Sequence, residues 1–185
     1  MMQFRDLSDL SPDDLAVGQS PLPVDGLLTA LAADWQPAVQ ASDLALELAI
    51  EPREMHVLGD ERRLRWALGN LLDNAVKYSL PGGRISLAAR RLDEGTAQIV
   101  LKDSGVGILP RDMPYLFTRF YRGTPFRPDG SLLHVPGMGQ GLFISKRVIE
   151  AHGGTIRRES WPGRGTQVIC TLPLTSPVTL PLDSA

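Results

Sequence analysis

The 185-residue sequence is poor in several features that would assign a protein to a class at once. Its single cysteine, Cys170, excludes an internal disulfide framework and a cysteine-rich zinc site. It contains no run of about eighteen apolar residues, the length that a membrane-spanning helix needs. Its 19 basic and 21 acidic residues nearly cancel, so no strong overall field attracts nucleic acid or an anionic membrane. A hydrophobic share of 43% and a charged share of 22% indicate an ordinary globular chain rather than a disordered one.

Hydrophobic periodicity divides most of the chain into helices and strands. Helical spacing of apolar residues predicts helices over 24–40, 60–80 (with Asp60 as its N-cap) and 141–152. Alternating or β-rich stretches predict strands at 43–50, 55–58, 84–91, 97–102, 155–160 and 166–172. We expect Cys170 to be a buried strand thiol, and we expect no regular structure between Asp103 and Pro136. About three helices and six strands with antiparallel hairpins predict an α/β sandwich, with the helices on one face of a mixed sheet.

The second predicted helix carries a polar edge that its apolar stripe does not explain. Asn70, Asn74, Lys77 and Tyr78 are spaced so that they share one face of the helix. A solvated face with a chance pair of asparagines would give the same pattern. The alternative is an edge directed at a ligand, because a carboxamide can bind a hard cation or donate to phosphate, and lysine adds a positive charge.

Two glycine-rich motifs flank the aperiodic region. Asp103 ends a predicted strand and is followed by Gly105 and Gly107, which allow the backbone to approach a flat ligand. A carboxylate there can accept a hydrogen bond from an exocyclic amine, although a plain turn explains the motif equally well. The second motif, GMGQGL at 137–142, runs into a helix, where exposed amides form an anion site unless the motif is only a flexible hinge. It matches neither a P-loop nor a dinucleotide-binding fingerprint.

Five motifs in order resemble those of the catalytic ATP-binding domain of sensor histidine kinases. They are GDERRL at 59–64 with NLLDNAVKYS at 70–79 (N box), DSGVGI at 103–108 (G1 box), LFTRFYR at 116–122 (F box), GMGQGL at 137–142 (G2 box) and GRGT at 163–166. The resemblance covers residues 24–174 and is far more specific than any single motif. It implies the Bergerat (GHKL) fold shared with gyrase, Hsp90 and MutL. That fold is a two-layer α/β sandwich in which about three helices cover one face of a mixed, mostly antiparallel sheet of about five strands.

The resemblance implies a role for each matching residue. Asp103 would bind the adenine amino group, Thr166 would close the base pocket, and Asn74 would hold Mg²⁺. The implied catalytic residues, all phosphate contacts, are Asn70, Lys77 and Arg122, the last from a lid over residues 115–136. The remaining nucleotide-binding positions are Tyr78, Gly105, Gly107 and Ile108 around the base, and Gly137, Gly139, Gln140, Gly141 and Leu142 around the phosphates.

Two positions depart from the family pattern. Gln140 stands where the family usually has leucine, and Thr118 stands where it often has an acidic residue. Both lie in or near the expected lid. These departures therefore affect the expected lid packing and partner contacts more than nucleotide binding.

The residue one helical turn before Asn74 distinguishes an ATP-hydrolysing enzyme from a kinase. Related ATPases carry a glutamate there that activates water, whereas this chain has Asn70, which cannot act as a base. Phosphoryl transfer depends mainly on positioning and charge neutralisation, so ATP is expected to await a better nucleophile than water. The alternative function is a GHKL-type ATPase that hydrolyses ATP to drive conformational change. A degenerate module that only binds ATP is a third interpretation.

In the family, the phosphate acceptor is a histidine within a His-Glu or His-Asp sequence on a separate helical dimerisation domain. His56, His134 and His152 have no acidic neighbour in the sequence. We therefore expect this chain to bind Mg-ATP but not to autophosphorylate alone. Residues 1–23 are expected to be a linker or stub of the helical domain, 24–174 the ATP-binding domain, and 175–185 a disordered tail.

The resemblance also implies the surroundings of this domain. The expected partners are ATP, the histidine-containing helical domain of the parent kinase, and a downstream response regulator. No contact with nucleic acid or with a membrane is expected for this fragment. The fragment is expected to be monomeric and cytoplasmic, whereas its parent is expected to be a homodimer that a membrane anchor could hold.

Overall fold

The computed structural model describes residues 18, 20–52 and 54–175, and within them the chain forms seven strands and three α-helices. The strands are β1 (Ser20–Pro23), β2 (Ala45–Glu51), β3 (His56–Gly59), β4 (Arg84–Asp93), β5 (Thr96–Asp103), β6 (Thr155–Trp161) and β7 (Gly165–Pro173). The helices are α1 (Val24–Ala41), α2 (Glu61–Tyr78) and α3 (Gly141–Ala151). Most of the predicted linker (residues 1–17 and 19) and of the predicted tail (176–185) lies outside the described residues.

Helix α2 forms where the periodicity predicts it, because its start and its apolar stripe agree. The backbone N–H of Arg63 donates to Asp60 Oδ1 at 3.1 Å, which confirms Asp60 as the N-cap. Glu61 lies in the first turn and Lys77 in the last, as the helix dipole favours. The buried stripe comprises Leu64, Ala67, Leu68, Gly69, Leu71, Leu72 and Ala75. The carboxamides of Asn70 and Asn74 lie on the edge of the helix beside this stripe.

The main sheet has five strands in the order β2-β4-β5-β7-β6. Strands β2 and β4 pair in parallel, while the other three pairs are antiparallel. Both predicted hairpins, β4–β5 and β6–β7, are present. The predicted two-layer α/β sandwich with a mixed, mostly antiparallel sheet is confirmed.

The hydrophobic core lies between the helices and the main sheet. Alternate residues of β4 and β5, among them Leu87 and Ile99, face apolar residues of the helices such as Leu72 and Ile144. Cys170 of β7 is 1% exposed, which confirms the predicted buried thiol. Burial raises the pKa of Cys170 to about 12, so it stays protonated at neutral pH.

The first strand of the described chain and the residues after its last strand both contact β3. No strand is predicted over residues 20–23, because Pro21 and Pro23 interrupt any longer element, yet β1 pairs antiparallel with β3. Proline is tolerated on an edge strand, where part of the backbone N–H groups have no ladder partner. After β7, the N–H of Thr175 donates to His56 O at 2.8 Å. The sequence analysis assigns Thr175 to the disordered tail, whereas in the structure this residue is hydrogen-bonded to β3.

Residues 104–140 form a long connecting segment between β5 and α3. Its regular structure is a 3₁₀ turn at Met113–Tyr115 and an isolated bridge between Phe126 and Leu132. This agrees with the loss of periodicity after Asp103. Across the described ranges, no helix combines the length and the hydropathy needed to cross a membrane.

Candidate functional site

A cavity of about 380 Å³ opens between α2, the end of β5, the start of α3 and the connecting segment. Every residue predicted for the site lines this cavity except Gly105. The predicted residues on its wall are Asn70, Asn74, Lys77, Tyr78, Asp103, Gly107, Ile108, Arg122, Gly137, Gly139, Gln140, Gly141, Leu142 and Thr166. Five separate stretches of the sequence, at 70–78, 103–108, 122, 137–142 and 166, therefore converge on one space.

The polar edge of α2 forms one side of the cavity. The Asn70 side chain donates from Nδ2 to the Trp66 carbonyl at 3.1 Å, which orients its carboxamide. Lys77 forms an ion pair with Asp73, one turn earlier on the same helix. A Cβ added to Gly141 would lie 3.5 Å from Asn70 Oδ1, so the N-terminus of α3 borders this carboxamide edge.

Asp103 closes the end of β5 with its carboxylate held by the backbone. Its Oδ1 accepts hydrogen bonds from the N–H groups of Gly105 at 2.8 Å and Thr166 at 3.1 Å. Burial raises the pKa of Asp103 to about 6, and the two hydrogen bonds only partly oppose this. Both bonds converge on Oδ1, so Oδ2 is the oxygen that can accept a hydrogen bond from a ligand.

Gly105 lies behind the cavity wall, where the backbone strands approach too closely for a side chain. A Cβ there would lie 2.3 Å from the carbonyl oxygen of Tyr78. The N–H of Val106 donates to the same carbonyl at 3.0 Å, which fixes the end of α2 against the turn after β5. Gly105 thus shapes the position of Asp103 through the backbone, while Gly107, at φ +69°, does line the cavity.

A chain of hydrogen bonds connects the two sides of the Asp103 pocket. The N–H of Ile108 donates to Ser160 Oγ at 2.9 Å, and Ser160 Oγ lies 2.8 Å from Thr166 Oγ1. Thr166 in turn donates its N–H to Asp103. Ser160 was not predicted as part of the site, because its contact with Ile108 spans 52 residues of sequence.

The connecting segment forms the outer wall of the cavity. The N–H of Phe120 donates to Gly139 O at 3.0 Å, and Gly139 adopts φ +70° at a point where a Cβ would lie 2.6 Å from Tyr121 O. Arg122 donates from Nη2 to Val135 O within the same segment. Phe120 and Met138 are 59% and 63% exposed, so the segment presents apolar side chains outward.

The sequence-based prediction missed other residues of the cavity wall. Tyr121 donates its hydroxyl to Asp112 Oδ1 at 2.7 Å, and this bond raises the pKa of Tyr121. Asp112 is 8% exposed, and Arg158 reaches the cavity from β6. No local sequence pattern marks these residues, because their burial and contacts depend on the folded connecting segment.

The three histidines lie in different environments. His152 is 5% exposed, and its Nε2 accepts from the N–H of Asp60 at 3.1 Å while Nδ1 donates to Val148 O at 2.7 Å. Burial lowers the pKa of His152, in keeping with this neutral tautomer. His56 is half-buried in β3, and His134 is exposed in the connecting segment. His152 therefore joins the end of α3 to the start of α2.

Several known proteins are similar to this chain in sequence or in fold. MprB of Mycolicibacterium vanbaalenii, a signal transduction histidine-protein kinase/phosphatase, is 39% identical over 125 residues, which are 68% of this chain and 24% of MprB. The sensor protein SrrB of Staphylococcus aureus is 34% identical over 174 residues, 92% of this chain and 28% of SrrB. The crystal structure of full-length ShkA with AMPPNP matches with a TM-score of 0.73 and 26% identity, over 86% of this chain and 32% of ShkA.

The chain spans about a quarter of the length of the curated relatives it matches, 24% of MprB and 28% of SrrB. A family model described as histidine kinase-, DNA gyrase B- and HSP90-like ATPase matches residues 59–176. This range contains α2, the main sheet from β4 onward, α3 and the cavity between them. The chain therefore belongs to the family of histidine kinase-, DNA gyrase B- and HSP90-like ATPases.

Proposed function

We propose that this domain binds Mg-ATP in the cavity and donates the γ-phosphate to a histidine on a separate helical domain. The convergence of Asn74, Asp103, Thr166 and the glycine-rich start of α3 on one cavity carries this proposal. A volume of about 380 Å³ lies within the range of small-molecule and cofactor sites. The relatives MprB and ShkA, a histidine kinase and a protein seen with AMPPNP, support it.

The adenine end of the ligand is assigned to Asp103. Its carboxylate would accept the exocyclic amine of the base, with Tyr78, Gly107 and Ile108 as apolar and backbone neighbours on the wall. Thr166 would close the pocket, since its N–H already holds the Asp103 carboxylate at 3.1 Å. Gly105 would act only through the backbone.

The phosphates are assigned to the other end of the cavity. The glycine-rich turn at 137–142 brings backbone amides and the positive end of the α3 dipole to the cavity, which favours an anionic group. Gly137, Gly139, Gln140, Gly141 and Leu142 would surround the phosphates. Asn70 and Lys77 would contact them from α2, and Arg122 from the connecting segment.

Asn74 is assigned as the protein ligand of Mg²⁺. Its carboxamide oxygen is a hard donor on the cavity wall, and Mg²⁺ in nucleotide sites takes few protein ligands besides phosphate oxygens and water. The donor set therefore fits the ion. When bound, Mg²⁺ would neutralise charge on the phosphates.

A kinase is favoured over a hydrolase by the side chain at position 70. Asn70 offers a carboxamide to the cavity, held by its hydrogen bond to Trp66 O. A carboxamide cannot take a proton from water, so the site supplies positive charge and orientation without a general base at that position. Phosphoryl transfer to an incoming imidazole needs little more than that.

The acceptor would come from outside this chain. His152 is buried and bonded at both ring nitrogens, while His56 and His134 lie in a strand and in the connecting segment rather than in a helix. We assign the acceptor to a helical dimerisation domain of a homodimeric parent, with a response regulator downstream. We place this monomeric ATP-binding domain, residues 24–174, in the cytoplasm, because that is where ATP is supplied.

Two measurements on the purified chain test the proposal. Isothermal titration with ATP should give Mg²⁺-dependent binding, and incubation with γ-labelled ATP should give neither phosphohistidine nor steady phosphate release. Adding the parent helical domain should then yield phosphohistidine on that domain. Sustained hydrolysis by the chain alone would favour the ATPase alternative, and absence of binding would refute both.

A further inference from the structure

Arg158 of β6 lines the cavity, and none of the five sequence motifs includes it. Its guanidinium carbon lies 4.5 Å from the centroid of the Phe117 ring, and its Nη2 donates to Met113 O. Both contacts are with the connecting segment, and Met113 is 45 residues away in the sequence. Arg158 therefore links the main sheet directly to that segment.

Phe117 is held from a second element as well. Lys146 of α3 places Nζ 5.7 Å from the same ring centroid. An aromatic face attracts cations at these distances, and Arg158 adds a hydrogen bond to the backbone of the same turn. Cations from β6 and α3 thus fix one aromatic side chain of the connecting segment.

The surroundings of Arg158 strengthen these contacts. Burial lowers the pKa of Arg158, which means that its guanidinium is partly removed from water. Its Nε is buried without a hydrogen-bond partner in the described part of the chain. A partly desolvated cation gains more from a carbonyl and an aromatic face than a hydrated one does. Replacing Arg158 therefore removes a specific attachment rather than a surface charge.

The attachment divides the connecting segment into two parts. Leu109, Asp112, Leu116 and Phe117 line the cavity on the attached side. Beyond them, Phe120 is 59% exposed. Tyr121, Arg122 and residues 135–140 of the second part also line the cavity. Arg158 thus holds one of the two parts of the wall that the connecting segment supplies.

We propose that Arg158 is a positioning residue that holds residues 109–117 against the sheet and so completes the nucleotide cavity before ligand binds. The identity of the ligand rests on the proposed function. The attachment itself does not, because it exists between groups of this chain alone. Loss of Arg158 should release the wall first and weaken nucleotide binding as a consequence.

The test compares Arg158→Met with Arg158→Lys and with Arg157→Met in the 185-residue chain. Hydrogen exchange of the Tyr115 and Thr118 amides, which donate to Asp112 O and Tyr115 O, reports on the wall without nucleotide. Arg158→Met should speed this exchange and raise the Kd for ATP, each by about tenfold. Arg158→Lys should restore part of both effects. Arg157, whose side chain is 62% exposed, is the matched control and should change neither.

Phe117→Leu provides an independent arm if Arg158→Met does not fold. It keeps an apolar side chain but removes the aromatic face, so it should reproduce most of the faster exchange. When Phe117→Leu is already present, adding Arg158→Lys should have little further effect. Unchanged exchange in Arg158→Met or in Phe117→Leu would overturn the proposal, as would an equal effect of Arg157→Met. If the unsubstituted chain fails to bind ATP, the proposed function fails, whereas the exchange measurements still decide the role of Arg158.

Discussion

The raised pKa of Asp103 predicts that nucleotide affinity depends on pH. Only the carboxylate form can accept a hydrogen bond from the adenine amine at Oδ2, and the nucleotide-free pKa of Asp103 is about 6. If the protonated form does not bind the base, the Kd for ATP is nearly constant above pH 7 and rises about tenfold by pH 5. This corresponds to about 1.4 kcal/mol of binding free energy.

Asp103→Asn is the matched variant for this measurement. An asparagine Oδ1 can still accept from Gly105 and Thr166, but the NH₂ group then faces the adenine amine, donor against donor. The Kd at pH 7.5 should rise about tenfold to a hundredfold, because a hydrogen bond to a charged group is lost. Tripolyphosphate, which lacks the base, should bind both proteins alike. The phosphates of ATP titrate equally in both titrations, so their contribution cancels.

Isothermal titration of both proteins between pH 7.5 and 5 decides the matter. Between pH 7.5 and 5, the Kd of the unsubstituted chain should rise about tenfold more than the Kd of Asp103→Asn. The same pH dependence in both proteins, with their folds intact by circular dichroism, would refute the role of Asp103. The same substitution should raise the melting temperature at pH 7.5. The pKa of Asp103 is higher in the folded state than in the unfolded state, so the free energy of unfolding falls as pH rises from about 4 to about 6. At pH 7.5 this loss is complete, and an asparagine, which carries no charge to bury, avoids it.

Three other predictions test separate groups. Asn74→Ala should abolish the Mg²⁺-dependent part of ATP affinity. The melting temperature without nucleotide should change little, because Asn74 lies outside the buried stripe of α2. A marked drop in that melting temperature would make Asn74 a structural residue. Asp73→Asn should tighten ATP binding severalfold in low salt, since Lys77 no longer has its ion-pair partner and can turn to phosphate; weaker binding would mean that the pair orients Lys77. His152 has a lowered pKa, so its contribution to stability is present above about pH 6.5 and is lost as pH falls below it. Chemical denaturation from pH 7.5 to 5 should show this loss, and His152→Gln should reduce it; identical slopes would contradict the role of the bond from Asp60 N–H to Nε2.

Local rules were sufficient where a side chain acts on its own neighbourhood. Asp60 capped α2 as its position before an apolar stripe predicts, and Cys170 was buried as its β-branched neighbours predict. The glycine-rich turn before α3 and the carboxamide edge of α2 were likewise legible, because each depends on a few adjacent residues. The resemblance implies that these motifs form one site, and the structure places them on the wall of one cavity.

The remaining contacts depend on long-range proximity, which periodicity does not encode. Ser160 meets Ile108 only because β6 and β7 form a hairpin beside the end of β5. In the sequence, Arg158 is an ordinary strand residue, and its contacts with Met113 and Phe117 exist only in the folded chain. Strand β1 was missed for a different reason, since Pro21 and Pro23 suppress a strand by local rules while an edge position accepts them.

Helices α2 and α3, which border the cavity, are joined by hydrogen bonds at two separate places. The hydroxyl of Ser145 in α3 donates to Ala67 O in α2 at 2.9 Å, and His152 joins the end of α3 to the N-cap of α2. The carboxamides and the amide-rich turn consequently keep their separation whether or not anything lies between them. Ordering this half of the pocket therefore costs little free energy when a ligand arrives, so adaptation to different occupants falls to residues 104–136.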